Sequence, residues 1–248
     1  MNLKPIRAVL DRAAEIGPPI QVWWRDDDAV AASPALDSLL ALSRSVGAPV
    51  GIAAIPAKLE PSLPARLRDE PGARILVHGF QHANHAAAGR KSAEFGSDRC
   101  FELLSTDAAA GLTRVRELAG DVSLAVFVPP WNRISRELAS ALAPLGYGGL
   151  STFGPRHLVP GLKVVNTHLD PVDWRGTRSA IDPARLAAAL EQALAASDDP
   201  GPIGLLTHHL MFDESLWRLT VALVEVLAGH PAVSFPELDV VWSAEERH

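Results

Sequence analysis

Ile20-Gln21-Val22-Trp23-Trp24-Arg25-Asp26-Asp27-Asp28 is an apolar run that breaks into three carboxylates. A short, mostly continuous apolar segment reads as a strand covered on both faces, as strands of a parallel sheet are. Val22, Trp23 and Trp24 should therefore be buried, and charges beside a buried strand have a partner or a task. Three adjacent carboxylates repel one another and need a cation or an arginine close by. The reading that competes is a solvated strand-end loop.

Seven further segments of the same kind lie downstream, at 49–55, 74–78, 123–128, 147–152, 163–168, 203–208 and 232–235. Helical stretches separate many of them. Ser33-Pro34 is an N-cap with proline at the first helical position, and Gly47 closes that helix. Asp182-Pro183 repeats the device ahead of Leu186, Leu190 and Leu194, and Asp213 precedes Leu216, Leu219, Leu223 and Leu227. Seven or eight strand–helix units predict an α/β fold with a parallel sheet, either closed into a barrel or open and doubly wound.

The 248 residues are 48% hydrophobic and 21% charged, an ordinary globular balance. No proline- or glycine-rich linker divides them, so one (β/α) domain over 1–248 is expected. The net charge is -6 and no basic stripe stands out, which leaves nucleic-acid binding without an electrostatic footprint. The single cysteine, Cys100, excludes a disulfide framework. No run approaches the ~18 apolar residues of a membrane span. Arg7, Asp11, Arg12 and Glu15 interrupt any leader-like apolar run, so the expectation is a soluble, cytoplasmic protein with no membrane partner.

The polar clusters all fall just past the C-terminal ends of the predicted strands. They are Asp26, Asp27 and Asp28; His78, His82 and His85; Pro129-Pro130-Trp131; Asp170, Asp173 and Trp174; and His208-His209. That rim is where a barrel builds its active site, and where an open α/β sheet binds ligands. His78 and His82 are spaced i, i+4; on a helical turn both imidazoles share one face and grip one metal ion. A carboxylate from the aspartate run completes a three-ligand catalytic site. Its neighbour then takes a proton from water, in metal-assisted hydrolysis. His208 is the natural proton donor to a leaving amine, with Asp170 or Asp173 to orient it. Trp131 and Trp174 wall an apolar pocket, although tryptophans are often simply core. Each cluster alone reads equally as a loop or a satisfied core group. His157, His168 and His230 are read as structural or surface residues.

The order of these clusters resembles the polysaccharide deacetylase family, the NodB-homology deacetylases, from Asp27 to His208. The resemblance implies a distorted (β/α) barrel of about seven parallel strands with its active site at the C-terminal strand ends. It implies Asp27 as general base, Asp28, His78 and His82 as ligands of one divalent metal, and His208 as general acid. A register one residue earlier, Asp26 with Asp27, is the other possibility. Asp170-Pro171-Val172-Asp173-Trp174 matches the fourth motif and places Asp173 in the catalytic set. Phe127-Val128-Pro129-Pro130-Trp131 matches the third, with the Trp131 backbone N–H helping to hold an oxyanion. Pro130, Trp131, Asp170, Trp174 and Arg25 are the expected substrate contacts. Two departures stand out. Val128 occupies the position of a family arginine that orients the base, a role open to Arg25 or Arg133. His209 stands where an aspartate often follows His208.

The expected activity is metal-dependent hydrolysis of a C–N amide bond, most simply N-deacetylation of a small-molecule or oligosaccharide N-acetyl sugar. Zinc suits the ligands, and cobalt or nickel bind such sites too. The alternatives are a cyclic-amide, allantoinase-like hydrolase with the same residues, a decayed scaffold that only binds sugar, and an aspartate-based phosphotransferase that would leave the histidines idle.

Overall fold

Strand alternation in the first strand separates two cores. In the computed structural model, which describes residues 2–195 and 201–243, β1 runs over Ile20–Ala29. Val22 and Trp24 belong to the large core between sheet and helices. Trp23, one residue out of phase, belongs to a smaller core inside the curl of the sheet. Successive side chains on a strand point to opposite faces, so Trp23, Arg25 and Asp27 rise in one column within the curl.

Six strands follow it in the same sheet: β2 (Val50–Ala54), β3 (Ala73–His78), β4 (Ser123–Val128), β5 (Gly149–Leu150), β6 (Lys163–Val164) and β7 (Ile203–Thr207). Their order is β6-β5-β4-β3-β2-β1-β7, and every pairing is parallel. The short β8 (Val233–Ser234) pairs with the start of β1. All eight expected segments are strands, and the expected distorted barrel is the fold.

The inner core takes Ala53, Leu76, Val126 and Val128 from β2, β3 and β4, and Val165 just past β6. The helix α8 (Leu238–Trp242) adds Leu238 and Val241, and Trp242 meets Trp23 edge-on at 5.2 Å. Each valine and leucine of this inner core, fully buried, contributes about 1.5–3 kcal/mol.

β5 and β6 are shorter than their apolar runs because the Asn166 side chain interrupts the ladder between their continuations and residue 168 turns to β7. Asn166 Oδ1 accepts from the Thr152 N–H, and His168 and Leu169 both donate backbone N–H groups to Gly204 O. Leu206 in turn donates to Leu169 O. Residues 166–169 therefore bridge the β6 edge to β7 and close the curl. The bridge needs a glycine. A Cβ on Gly204 would lie 2.3 Å from Asn166 O and 2.5 Å from Thr167 Cα.

The helices that cover the outside are α1 (Lys4–Ile16), α2 (Pro34–Val46), α3 (Ser62–Leu67), α4 (Phe101–Ala119), α5 (Arg136–Ala141), α6 (Pro183–Ala195) and α7 (Glu214–Ala228). The expected caps are in place. Ser33 accepts from Leu36 N–H, Gly47 is left-handed at φ 65°, and Asp213 accepts from Leu216 N–H at 2.7 Å. Leu216, Leu219, Leu223 and Leu227 of α7 are all buried. Among the described residues no helix is long and apolar enough to cross a membrane.

Candidate active site

Strand ends carry the polar groups, and the backbone there is strained. Among the described residues, four of the five non-glycine residues with positive φ are at this rim: Asp28 (75°), His82 (56°), Trp131 (56°) and Asn132 (57°). Such conformations persist only where the surroundings over-determine them, and they gather at functional sites.

The aspartate run shows why. In the pairing of β1 with β2, Asp26 opposes Ile52 and Ala29 opposes Ala54, so three steps on one strand face two on the other. This is a bulge. Regular alternation sends Asp26 outward and Asp27 inward. The bulge, with Asp28 at positive φ, turns the third carboxylate over the rim. Asp27 and Asp28 thus reach the same cleft, and Asp26 does not.

Asp28 Oδ1 lies 3.1 Å from His78 Nε2 and 3.2 Å from His82 Nε2. Ligands around a tetrahedral ion bound at ~2.0–2.1 Å are about 3.3 Å apart, so the three atoms have the spacing of a metal site. The tautomer agrees. His78 Nδ1 is 3.0 Å from Val128 O and donates to it, which leaves the Nε2 lone pair of a neutral ring aimed at a carboxylate. Two acceptors meet there, and a proton or a cation must lie between them. Burial works to raise the Asp28 carboxyl, but the histidine contacts outweigh it and hold it far below the usual carboxylate range. Burial also works against charging His78, yet Asp27 and Asp28 raise its pKa on balance. The residues fit a divalent cation.

The loop presenting His82 is not the helical turn expected from its i, i+4 spacing. It is an irregular segment folded around the buried carboxylate of Glu94, which accepts N–H groups from Phe80, Gln81 and His82. Gly79 begins it at φ 57°, where a Cβ would sit 2.4 Å from Glu94 Oε2 and 2.5 Å from Pro130 Cδ. The sequence reading missed Glu94. It is twelve residues beyond His82 and carries no motif, and only its burial marks it.

Arg25 is fully buried in the column below Asp27. Its Nη2 donates to Asp27 Oδ2 at 3.1 Å and to Asn132 Oδ1 at 2.7 Å, and its Nη1 donates to Ser151 Oγ at 2.7 Å. Its Nε is 2.9 Å from Asp27 Oδ1, an ion-pair distance without hydrogen-bond alignment. A group so enclosed does not touch a ligand in the cleft, which corrects the expectation of a substrate contact. Arg25 pairs with Asp27 instead. Arg133 is occupied elsewhere, donating to Ser92 O.

Asp26 serves the opposite face of β1. It accepts from Thr207 Oγ1 at 2.6 Å and from the His209 N–H at 3.0 Å, and it pairs with His209 Nδ1. Trp24 Nε1 donates to the same Thr207 hydroxyl. Burial opposes charging His209, but Asp26 raises its pKa on balance. These contacts anchor the chain on both sides of His208 at the end of β7.

His208 itself is buried, with Trp174 edge-on to its ring at 5.0 Å. Trp174 Nε1 donates to Asp170 Oδ2 at 2.7 Å, and the Val172 N–H donates to Asp170 Oδ1. Burial raises the Asp170 carboxyl against the pull of His208 and of these donors. Asp173 is engaged differently. Arg185 Nη1 is 3.2 Å from its Oδ1, and it accepts from the Thr177 N–H. The charge beside His208 is thus Asp170, and Asp173 holds the following turn.

All these groups open on one cleft of about 870 Å³, lined by Asp27, Asp28, His78, His82, Trp131 and His208 among others. Trp131 packs on His82 with ring centroids 4.4 Å apart, and Pro130 is buried behind it. Phe153 and His168 also line the cleft and were not anticipated there. His168 Nδ1 accepts from the Gly204 N–H, and burial holds its pKa down at about 4. His85 and His157 are exposed, and His230 pairs with Asp11.

No protein-family model matches the chain, and no curated protein matches it. Solved structures do share its fold. A Mycobacterium smegmatis protein provisionally described as a polysaccharide deacetylase aligns with TM-score 0.64 at 16% identity, over 91% of this chain and 89% of that one. A family 4 acetyl xylan esterase from Clostridium thermocellum, solved with cobalt, aligns with TM-score 0.55 at 13% identity, over 89% of each chain. A variant of a peptidoglycan deacetylase from Bacillus subtilis aligns with TM-score 0.56 at 14% identity, over 90% of this chain and 91% of that one. At these identities the likeness is one of fold. It is the fold of the family whose motif order the sequence resembles.

Proposed function

We propose that this chain is a divalent-metal-dependent hydrolase that removes the acetyl group from the nitrogen of an N-acetylated sugar. The observation that carries the reading is the Asp28–His78–His82 cluster, with Asp27 beside it on β1 and His208 opening on the same cleft. Solved proteins of this fold described as a peptidoglycan deacetylase and as a cobalt-bound acetyl esterase support it. Zinc is the proposed ion, since one carboxylate and two imidazoles suit it.

Asp28, His78 and His82 would hold the ion, which when bound makes hydroxide available near neutral pH and polarises an acyl carbonyl. Asp27 is the base. Arg25 holds both its oxygens from below, so the carboxylate stays aimed into the cleft and takes the proton of the attacking water at the oxygen facing it. His208 gives a proton to the leaving nitrogen, and Asp170, rather than Asp173, stabilises the charged ring. Trp174 lies against that ring and excludes water from it. The Trp131 backbone N–H is the proposed partner of the developing oxyanion.

The test is metal content with acetate release from N-acetyl and O-acetyl sugars, beside ring opening of a cyclic amide. Asp27→Asn is expected to keep the ion and lose about 10²–10⁴-fold in turnover, the usual share of a general base. The pair His78→Ala/His82→Ala is expected to lose the ion. Full activity in Asp27→Asn overturns the base; ring opening without acetate release replaces the substrate class.

A further inference from the structure

Several cations around the cleft have no carboxylate of their own among the described residues. Each acid lining it has a partner inside the protein: Asp27 with Arg25, Asp28 with the two histidines, Asp170 with Trp174 and Val172, and Asp173 with Arg185. Arg133, Arg175 and Arg178 line the same cleft, and among the described residues none has a carboxylate within ion-pair distance. A second cleft of about 800 Å³ adjoins it, sharing Asn132, Arg133 and Phe153. It adds Lys91 and Arg136, again without a carboxylate partner among the described residues, while its Asp98 is bound to Arg90. Five cations without a carboxylate partner among the described residues thus line the two adjoining clefts, against two carboxylates, Asp28 and Asp170, that have no arginine or lysine partner, in a chain whose net charge is -6.

Like charges gathered in a concave surface repel one another and focus a positive potential, which a divalent ion at Asp28 strengthens. A neutral N-acetyl sugar can accept hydrogen bonds from them but leaves their charge unpaired. Two exposed aromatic faces complete the groove. Phe153, 45% exposed, stands where the clefts meet, and Trp174, 42% exposed, lies beside His208. Flat apolar faces flanked by guanidinium groups suit sugar rings that carry an oxyanion, since arginine binds carboxylate and phosphate with two parallel hydrogen bonds.

We propose that the substrate is an acidic N-acetylated oligosaccharide: its reacting sugar sits at Trp174, Arg175 and Arg178 take an anionic group on that sugar or on the residue joined to it, and the next residues run past Phe153 toward Arg133 and Arg136. This rests on the deacetylase reading of the site and names its substrate class.

Binding is measured by calorimetry on metal-loaded protein carrying Asp27→Asn, so that turnover plays no part. The probes are a neutral N-acetylglucosamine tetramer, a tetrasaccharide alternating N-acetylglucosamine with glucuronate, and N-acetylglucosamine phosphate. The acidic tetrasaccharide is expected to bind at least about tenfold tighter than the neutral one, as charge-assisted hydrogen bonds imply. That advantage should shrink as salt rises, and should vanish in Arg175→Glu/Arg178→Glu. Tighter binding of the phosphate probe instead assigns the anion as phosphate and supports the same arginines. Equal, salt-insensitive binding of neutral and acidic tetramers overturns the proposal. Acetate release from neutral sugars by the wild type in that case leaves the hydrolase reading intact, whereas arginine-dependent acidic binding without any acetate release by the wild type supports the anion subsite and removes that reading.

Discussion

Replacing Arg25 by methionine keeps an unbranched side chain of similar length in the column above Trp23 and removes only the charge and its donors. Asp27 is then left 3% exposed with no cation against it. Removing one partner of a buried pair costs about 3–5 kcal/mol, because the remaining charge stays desolvated. The Ser151 hydroxyl and the Asn132 amide also lose the donors they now share. For a protein of this size about 2–4 °C of melting temperature follows each kcal/mol, so Arg25→Met should melt about 6–20 °C lower. The control is Arg25→Met/Asp27→Asn, which has no buried anion to strand. It should recover part of the loss and sit above the sum of the two single variants. Differential scanning calorimetry in chelator reads this without interference from the metal. Acetate release, read in parallel, should fall about 10²-fold in Arg25→Met as the base loses its aim. A melting temperature equal to wild type, or strictly additive single variants, would refute the role given to this arginine.

Glu94→Gln keeps the size of the group that gathers the N–H donors of residues 80–82 and removes its charge. Metal affinity, read by competition with a chelator, should fall about 10–100-fold, and unchanged affinity removes Glu94 from the support of His82. Gly204→Ala drives a Cβ into the backbone of residues 166–167, and urea unfolding should show a loss of about 3 kcal/mol or more; wild-type stability would mean that this bridge does not close the sheet. His168, whose pKa drops from 6.5 to about 4 on folding, binds fewer protons folded than unfolded across that interval. Its contribution is therefore whole above pH 6.5 and is lost as the pH falls toward 4. His168→Gln should flatten that part of the stability–pH curve, and an identical slope in wild type and variant would contradict it.

The eight strands were legible because their cause is local. An apolar run of the right length and a cap three residues ahead of a leucine stripe depend on neighbours along the chain. The rim placement of Asp26–Asp28, His78, His82 and His208 followed from the same reading, since each cluster ends an apolar run. The sequence reading leaves Asp26 with Asp27 open as the working pair, and alternation along β1 sends these two to opposite sides. What alternation cannot say is that Asp28 joins Asp27, because that needs the bulge against β2 and a backbone turned to φ 75°. The helical turn expected at 78–82 failed for a related reason. Periodicity describes a segment bonded to itself, whereas the N–H groups of residues 80–82 bond to Glu94.

The partners that give each aspartate its task lie far along the chain. Asp26 meets residues 207 and 209, and Arg25, beside Asp27, meets residues 132 and 151. Composition and spacing determined that this chain builds a parallel sheet and brings carboxylates and imidazoles to one rim of it. Which carboxylates open on the cleft and which one anchors a strand was decided by the curl of the sheet. A charge acquires its role from what surrounds it within a few ångströms, and in a closed sheet those surroundings come from strands remote in sequence.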